Sequence, residues 1–301
     1  MNCISNEKIS IKVNNKGAEL SSLVSLIDNR EYLWQADPLY WNRHSPILFP
    51  IVGAVWNDKY RVDAEEFTMG RHGFARNMEF ELVEQSESHL LFRLGSSETS
   101  LKLFPYSFCL EIGYRLINNV LRVLWRVKNI SSKTMFFQIG GHPAFNYKDY
   151  DENVDVQGSL EFAGEEYSKR VISGRDELVC SMLGEKGCVK KDKFLMPLED
   201  GRLPIRKDTF KNNAIVLEQN GIEEIFILDR ALKPYVSVKY DAPVVGIWSP
   251  KENEFSPFVC IEPWYGRCDR EYFEGEFSQK DWVQSLVSGE TFESNYDITI
   301  I

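Results

Sequence analysis

The sequence predicts an all-β protein built as one large antiparallel β-sandwich. The first reason is that apolar and polar residues alternate with a period of two over many segments, which is the pattern of half-buried strands. The second is that these segments follow one another without intervening helices of about 10–15 residues, so parallel βαβ units are not expected. The third is that residues typical of hairpin turns stand between some of the segments.

Nine alternating segments are predicted to be strands. They are 8–13, 78–85, 89–94, 110–117, 120–130, 214–218, 224–229, 235–240 and 297–301. Asn118-Asn119 and Asn220-Gly221 each predict a hairpin between two of them, because Asn and Gly tolerate positive φ. One helix is predicted over 277–287, where Ser278 could cap the first turn and Gly289 follows the last.

The length and composition favour a single domain over residues 1–301. A chain of 301 residues could form two average domains or one large β domain, and no linker or repeat divides it. Hydrophobic residues make up 43% of the chain, which is enough for a sizeable core. The oligomeric state stays open between a monomer and a homodimer.

Charge indicates which partners to expect. The net charge of −10 repels phosphate backbones and anionic lipids, so neither nucleic acid nor a membrane is an expected partner. A small molecule fits better, although a local arginine cluster could still bind an anion. No secretory signal or apolar run of about 18 residues occurs, and no CxxC pair is present. A cytoplasmic protein with free thiols is therefore expected.

The segment GGHPAFN contains the first candidate functional residue. His142 follows two glycines, which permit close approach of another chain or a ligand, and it precedes a proline that favours an extended backbone. A histidine that only bonds a backbone carbonyl in a turn would fit the same pattern. The alternative is an imidazole held in place to move protons.

Two further segments carry candidate residues. The segment MGRHGFARNMEF offers Arg71, His72 and Arg76, which could grip a polyhydroxylated ligand or simply be solvated in a surface turn. In CIEPWYG, Glu262 follows an apolar run, where a carboxylate is costly unless it has a partner or a task. Trp264 and Tyr265 offer flat faces on which a sugar ring could stack. A salt-bridged glutamate at an aromatic strand end is the plainer alternative.

The segments SPILFPIVG, HGFAR, GGHPAFN and CIEPWYG, in this order, resemble the aldose 1-epimerase (mutarotase) family, and within it the LacX-type branch. The resemblance implies the galactose mutarotase-like fold, an antiparallel β-supersandwich with few short helices. It also implies an isomerase that interconverts the anomers of a sugar without a metal or a nucleotide cofactor. By this resemblance Glu262 is the general base, His142 the general acid, and His72 and Arg76 bind the substrate.

Three positions depart from the branch pattern. Ala54 stands where a basic residue is common after FPIVG, and Asn77 stands where an aspartate often follows HGFAR. Asn213 stands where a binding aspartate is expected. These changes leave the acid–base pair intact and leave open which substrate is used and whether the activity is reduced. A hexose 6-phosphate epimerase and a catalytically silent sugar sensor therefore remain alternatives, whereas glycoside hydrolysis is disfavoured because only one carboxylate stands out.

Overall fold

The computed structural model describes residues 1–172, 177–219, 221–251 and 254–301. The strands, in chain order, are β1 (Asn2–Ser5), β2 (Ile9–Val13), β3 (Leu20–Ser25), β4 (Ile47–Leu48), β5 (Lys59–Val62), β6 (Glu65–Thr68), β7 (Glu81–Gln85), β8 (His89–Gly95), β9 (Phe108–Ile117), β10 (Val120–Asn129), β11 (Met135–Phe137), β12 (Ile139–Gly141), β13 (Ala144–Asn146), β14 (Ser159–Ala163), β15 (Glu177–Leu183), β16 (Val189–Pro197), β17 (Arg202–Pro204), β18 (Ile215–Glu218), β19 (Glu224–Leu228), β20 (Pro234–Tyr240), β21 (Val244–Trp248), β22 (Phe258–Tyr265), β23 (Gln284–Leu286) and β24 (Thr291–Ile300).

Helices are few and short. Within the described ranges the α-helices are α1 (Glu98–Leu103) and α2 (Glu165–Ile172), and the remaining helical segments are single 3-10 turns. Ser97 caps α1, because its hydroxyl accepts a hydrogen bond from the Ser100 amide at 3.2 Å. None of the described helices has both the length and the apolar content needed to cross a membrane.

Two large antiparallel sheets form the body of the protein. One has nine strands in the order β17-β14-β19-β20-β24-β10-β9-β8-β7. The other has eight, in the order β16-β15-β18-β21-β22-β12-β4, with β13 also paired to β22. The predicted antiparallel all-β fold is confirmed, and each of the nine predicted strands overlaps an observed one.

The core fills the space between these sheets. On β10 the inward residues Leu121, Val123, Trp125 and Val127 are all buried, as the alternating pattern predicts. From the facing sheet, the ring of Tyr265 on β22 meets Trp125 edge-on, with centroids 6.4 Å apart. The two sheets therefore share one layer of interdigitated side chains.

The first of the two hairpin predictions is confirmed. Asn118 has a φ of 55° and Ile117 pairs with Val120, so Asn118-Asn119 is a two-residue turn between β9 and β10. Asn220 lies outside the described residues. The strands on either side of it, β18 and β19, belong to different sheets, so the hairpin predicted there is wrong.

The helix predicted over 277–287 is also wrong. Only Phe277–Gln279 form a 3-10 turn, and the chain then enters β23, which pairs with β11. Trp282 has a φ of 59°, which an α-helix does not allow. Lys280 turns inward to form a buried ion pair with Asp269. Tertiary contacts therefore override a pattern that suits a helix locally.

Candidate functional site

A cavity of about 370 Å³ lies on the outer face of the eight-stranded sheet. Its lining includes six of the site residues that the sequence predicted, namely Arg71, His72, Arg76, His142, Glu262 and Trp264. Alternation along β22 explains part of this arrangement. Ile261 points into the core between the sheets, whereas Glu262 and Trp264 point the other way, into the cavity.

His142 is held by strand pairing on both sides. Before it, Gly140 of β12 pairs with Trp264 of β22, and after it, Ala144 of β13 pairs with Cys260 of the same strand. A Cβ on Gly140 would lie 2.6 Å from Cδ1 of Trp264. A Cβ on Gly141 would lie 2.8 Å from the hydroxyl of Tyr296. The two glycines thus allow the close approach that aims His142 at the cavity.

His142 and Glu262 form a buried pair. Nε2 of His142 lies 3.2 Å from Oε2 of Glu262, and the two side chains are 8% and 2% exposed. Burial lowers the pKa of His142 to about 3. Burial also raises the pKa of Glu262 well above its usual range, and the nearby Trp264 indole opposes this rise in part. Since burial penalises both charges, the pair holds a single proton near neutral pH.

His72 is fixed in one orientation by the loop that carries it. It has a φ of 66°, its amide donates to the Gly53 carbonyl at 2.7 Å, and its Nδ1 accepts from the Gly53 amide at 3.2 Å. Burial lowers the pKa of His72 well below its usual value, and His142 and Arg76 add to this effect. With Nδ1 accepting, the proton of this neutral imidazole sits on Nε2, where it can be donated.

Arg71 and Arg76 place positive charge at the cavity, and Glu19 offsets the charge of Arg76 only in part. Arg76 donates to the Arg71 carbonyl at 2.7 Å, and its Nε is buried without a hydrogen-bond partner in the described part of the chain. Burial lowers the pKa of Arg76 to about 10, and Arg43 adds to the effect. Arg71 donates to the Lys186 carbonyl at 3.4 Å. Among the described residues, neither guanidinium is in an ion pair with a carboxylate.

Trp264 lies where the sequence predicted a stacking surface, and Tyr265 does not. The Trp264 ring packs over Gly246 of β21, where a Cβ would come within 2.4 Å of Cη2. Its indole N–H is buried near the Glu262 carboxyl, makes no well-aligned hydrogen bond with the described residues and faces the site. Tyr265 points to the opposite face of β22, where it accepts a hydrogen bond from the Ser294 hydroxyl at 3.0 Å. Its suggested role in binding a sugar ring is therefore wrong.

Two further aromatic residues line the cavity and were missed by the sequence analysis. The ring of Trp41 stacks on the imidazole of His142, with centroids 4.7 Å apart and an interplanar angle of 27°. Trp248 meets the same imidazole edge-on at 5.5 Å. Trp41 lies outside the named strands, so no periodic pattern marks it. Trp248 ends β21, and its place beside His142 follows only from pairing between Trp248 and Cys260.

The three positions that depart from the branch pattern lie at or near this site. Ala54 and Asn213 line the cavity. The Asn213 carboxamide oxygen accepts from the Ala214 amide at 2.8 Å, so it is engaged locally. Asn77 accepts a hydrogen bond from Arg43 at 2.7 Å. An amide at position 77 leaves Arg43 without a countercharge there, which increases the positive charge near the cavity.

Comparison with known proteins identifies the family to which the chain belongs. The aldose 1-epimerase family model matches residues 1–167. The plasmid and chromosomal LacX proteins of Lactococcus lactis subsp. lactis are each 31% identical to this chain over 306 residues, covering 99% of it and 98% of the relative.

Solved structures extend the likeness to the whole fold. A galactose mutarotase related enzyme from Lactobacillus acidophilus is 31% identical, with a TM-score of 0.88 and coverage of 100% of this chain and 97% of that one. A galactose mutarotase-like protein from Lactobacillus casei is 29% identical, with a TM-score of 0.91 and complete coverage of both chains. The fold is thus galactose mutarotase-like, and the chain belongs to the aldose 1-epimerase family.

Proposed function

We propose that the protein is an aldose 1-epimerase that interconverts the α and β anomers of a hexose. The observation that carries this proposal is the buried contact of 3.2 Å between His142 and Glu262 within a cavity of sugar size. Ring opening needs one proton removed from O1 of the sugar and one supplied to O5. A pair that holds a single proton contains one group able to accept and one able to donate.

In the proposed reaction Glu262 accepts the proton from O1 and His142 donates to O5. The carboxylate–imidazolium form of the pair has the same number of protons as the uncharged form and is reached by proton transfer across the contact. Sugar hydroxyls that fill the cavity would stabilise the charges, and the face of Trp41 would favour the imidazolium. After rotation about C1–C2, ring closure reverses both transfers.

The remaining predicted site residues would bind the sugar. His72 offers a donor from Nε2, and Arg76 offers its unpartnered Nε–H. Trp264 presents an aromatic face together with an unpartnered indole N–H. Buried donors without partners are costly, so a ligand with many hydroxyl groups suits them.

Polarimetry on freshly dissolved α-glucose and α-galactose tests this proposal. The initial rate should exceed the spontaneous rate in proportion to enzyme concentration, and the Glu262→Gln protein should serve as the matched control. If calorimetry shows that sugars bind while no sugar, phosphorylated or free, is turned over, the protein is a carbohydrate sensor that has kept the cavity.

A second candidate substrate is a hexose 6-phosphate, favoured by the guanidinium groups of Arg71 and Arg76, which form no ion pair with a carboxylate within the described part of the chain. Charge-assisted hydrogen bonds are stronger than neutral ones, so a phosphate would gain more here than a hydroxyl. Arg76→Gln should then raise KM for a 6-phosphate by about 10-fold or more and change KM for the free sugar less. An equal effect on both substrates would argue for free aldoses. NMR exchange spectroscopy, which follows the interconversion of the two anomers, measures KM for the 6-phosphate and for the free sugar.

A further inference from the structure

We propose that Cys260, together with Glu262 and His142, forms a binding site for a divalent cation of borderline softness such as Zn²⁺, and that the bound ion blocks the acid–base pair. The thiol stands two residues before Glu262 on β22, on the same face of the strand. Residue Ala144, two positions after His142, pairs with Cys260. The strand register thus brings the thiol to the pair.

The three ligand atoms are already close together. The Cys260 sulfur, a Glu262 carboxylate oxygen and an imidazole nitrogen of His142 all lie within 4.8 Å of one another. Ligand atoms of a tetrahedral zinc site are about 3.5 Å apart, given bonds of about 2.0–2.3 Å. The nitrogen and oxygen are already within this range at 3.2 Å. The sulfur needs a shift of about 1 Å, which corresponds to a rotation of roughly 35° about χ1, at the edge of the staggered well.

Unpartnered atoms at the site point to a missing ligand. Oε2 of Glu262 is buried and makes no well-aligned hydrogen bond in the described structure, although Nε2 of His142 is near. Buried polar atoms are normally satisfied, because a donor or acceptor left without a partner in a low-dielectric interior is costly. A cation placed between sulfur, oxygen and nitrogen would satisfy Oε2 and would use Nε2 of His142 at the same time.

The ligand set also balances the charge. A cysteine side chain with no bound metal is an uncharged thiol near neutral pH, because the usual pKa of a thiol is about 8.5. On binding, the divalent ion replaces the thiol proton and the single proton of the pair, and both protons leave to solvent. One thiolate, one carboxylate and a neutral imidazole then neutralise the two positive charges, which suits a buried site.

Sulfur and nitrogen ligands select zinc over magnesium or calcium. Magnesium and calcium ions prefer ligand sets made only of oxygen atoms, whereas zinc binds thiolate, imidazole and carboxylate. Three protein ligands leave a fourth position for water or a sugar hydroxyl. Because both members of the pair would be ligated, neither could transfer a proton. This inhibitory effect rests on the proposed function, whereas metal binding itself does not.

Titration of the full-length protein with Co²⁺ tests the site without reference to turnover. A tetrahedral Co²⁺ bound to thiolate gives intense visible d–d bands and a near-ultraviolet charge-transfer band, and added Zn²⁺ should abolish both. Cys260→Ser, which keeps the side-chain size, should remove the charge-transfer band and weaken binding by about 100-fold or more. Cys260→Ala, checked for folding by circular dichroism, is the second variant. Calorimetry in buffers of different ionisation enthalpy should show about two protons released.

Removal of other thiols provides the control. Cys3 is exposed and Cys109 is partly so, and the Cys3→Ser/Cys109→Ser protein should keep the full signal. A charge-transfer band that survives in both Cys260 variants, or no such band in the wild type, would overturn the proposal. A separate polarimetry experiment tests inhibition: added Zn²⁺ should lower the rate of sugar interconversion, and EDTA should restore it. A wild type that binds Co²⁺ through Cys260 but turns over no sugar would remove the proposed function and leave the metal site standing.

Discussion

Nε2 of His142 lies 3.2 Å from Oε2 of Glu262, although His142 lies between β12 and β13 and Glu262 lies on β22, far away in sequence. Both side chains are nearly inaccessible to solvent, and both are reached from one cavity. Because burial disfavours an imidazolium and a carboxylate alike, the pair behaves as one unit that binds a single proton. The predictions below follow from this unit and from the packing that holds it.

Removal of either member should abolish proton transfer and leave the cavity intact. Glu262→Gln and His142→Asn should each lower kcat by about 100-fold or more, and the double variant should lose less than the product of the two effects. Sugar affinity should change far less, since Arg76, His72 and Trp264 remain. Polarimetry gives kcat and calorimetry gives Kd. A single variant with the kcat of the wild type would rule out that residue as an acid–base group.

The pH profile of kcat/KM should show no inflection near pH 6.5. As the pH falls, the pair gains a second proton only when His142 is protonated, and burial lowers the pKa of His142 to about 3. As the pH rises, the last proton leaves Glu262, whose pKa burial raises. Activity should therefore form a plateau across neutral pH. An acidic limb with a midpoint near 6.5, in protein shown to be folded by circular dichroism, would contradict the shared-proton pair.

Gly246→Ala should disturb Trp264. The added Cβ would lie 2.4 Å from Cη2 and 2.5 Å from Cζ2 of the indole, so the ring must move. We expect a loss of about 1–3 kcal/mol in the free energy of unfolding, together with a higher KM. Gly95→Ala, where a Cβ meets no atom within 4 Å, is the matched control. Urea denaturation and polarimetry measure the two effects, and equal behaviour of both variants would refute the packing argument.

The ion pair between Asp269 and Lys280 should matter for stability. The two side chains are 2% and 1% exposed, and Asp269 also accepts from the Trp56 amide at 2.9 Å. Lys280→Met leaves a buried carboxylate and should lower the free energy of unfolding by about 3–5 kcal/mol. Asp269→Asn combined with Lys280→Met removes both charges and should be less destabilising than Lys280→Met alone. Urea unfolding tests this, and an additive loss in the double variant would show that the charges do not interact.

The sequence predicted the strands well because burial on one face leaves a periodic mark that any single segment displays. It predicted His142 and Glu262 because each precedes a proline in a distinctive motif, and the resemblance to a family joined the two motifs.

The prediction for Tyr265 was wrong for a simple reason, since neighbouring residues on a strand face opposite sides and Trp264 already faces the cavity. The prediction of a helix over 277–287 failed because Lys280 and Trp282 form contacts with Asp269 and Glu218. No local sequence pattern shows such contacts.

The position of Trp41 shows a different limit. Its ring stacks on His142 from a segment with no regular structure, and its neighbours Trp248 and Phe258 come from β21 and β22. A residue in a loop is not part of an alternating apolar and polar pattern, so the sequence does not mark it. Its role follows only from the three-dimensional position of its indole ring.

The pairing of β22 with both β12 and β13 has a consequence for how the site comes into being. The hairpin of β9 and β10 closes over a two-residue turn, whereas β22 must find strands that lie more than a hundred residues earlier in the chain. Contacts between segments so distant form slowly, because closing the long loop costs entropy before any contact compensates for it. The acid and the base therefore meet only once this long-range register is in place. During refolding, catalytic competence should return after most of the β-structure has formed.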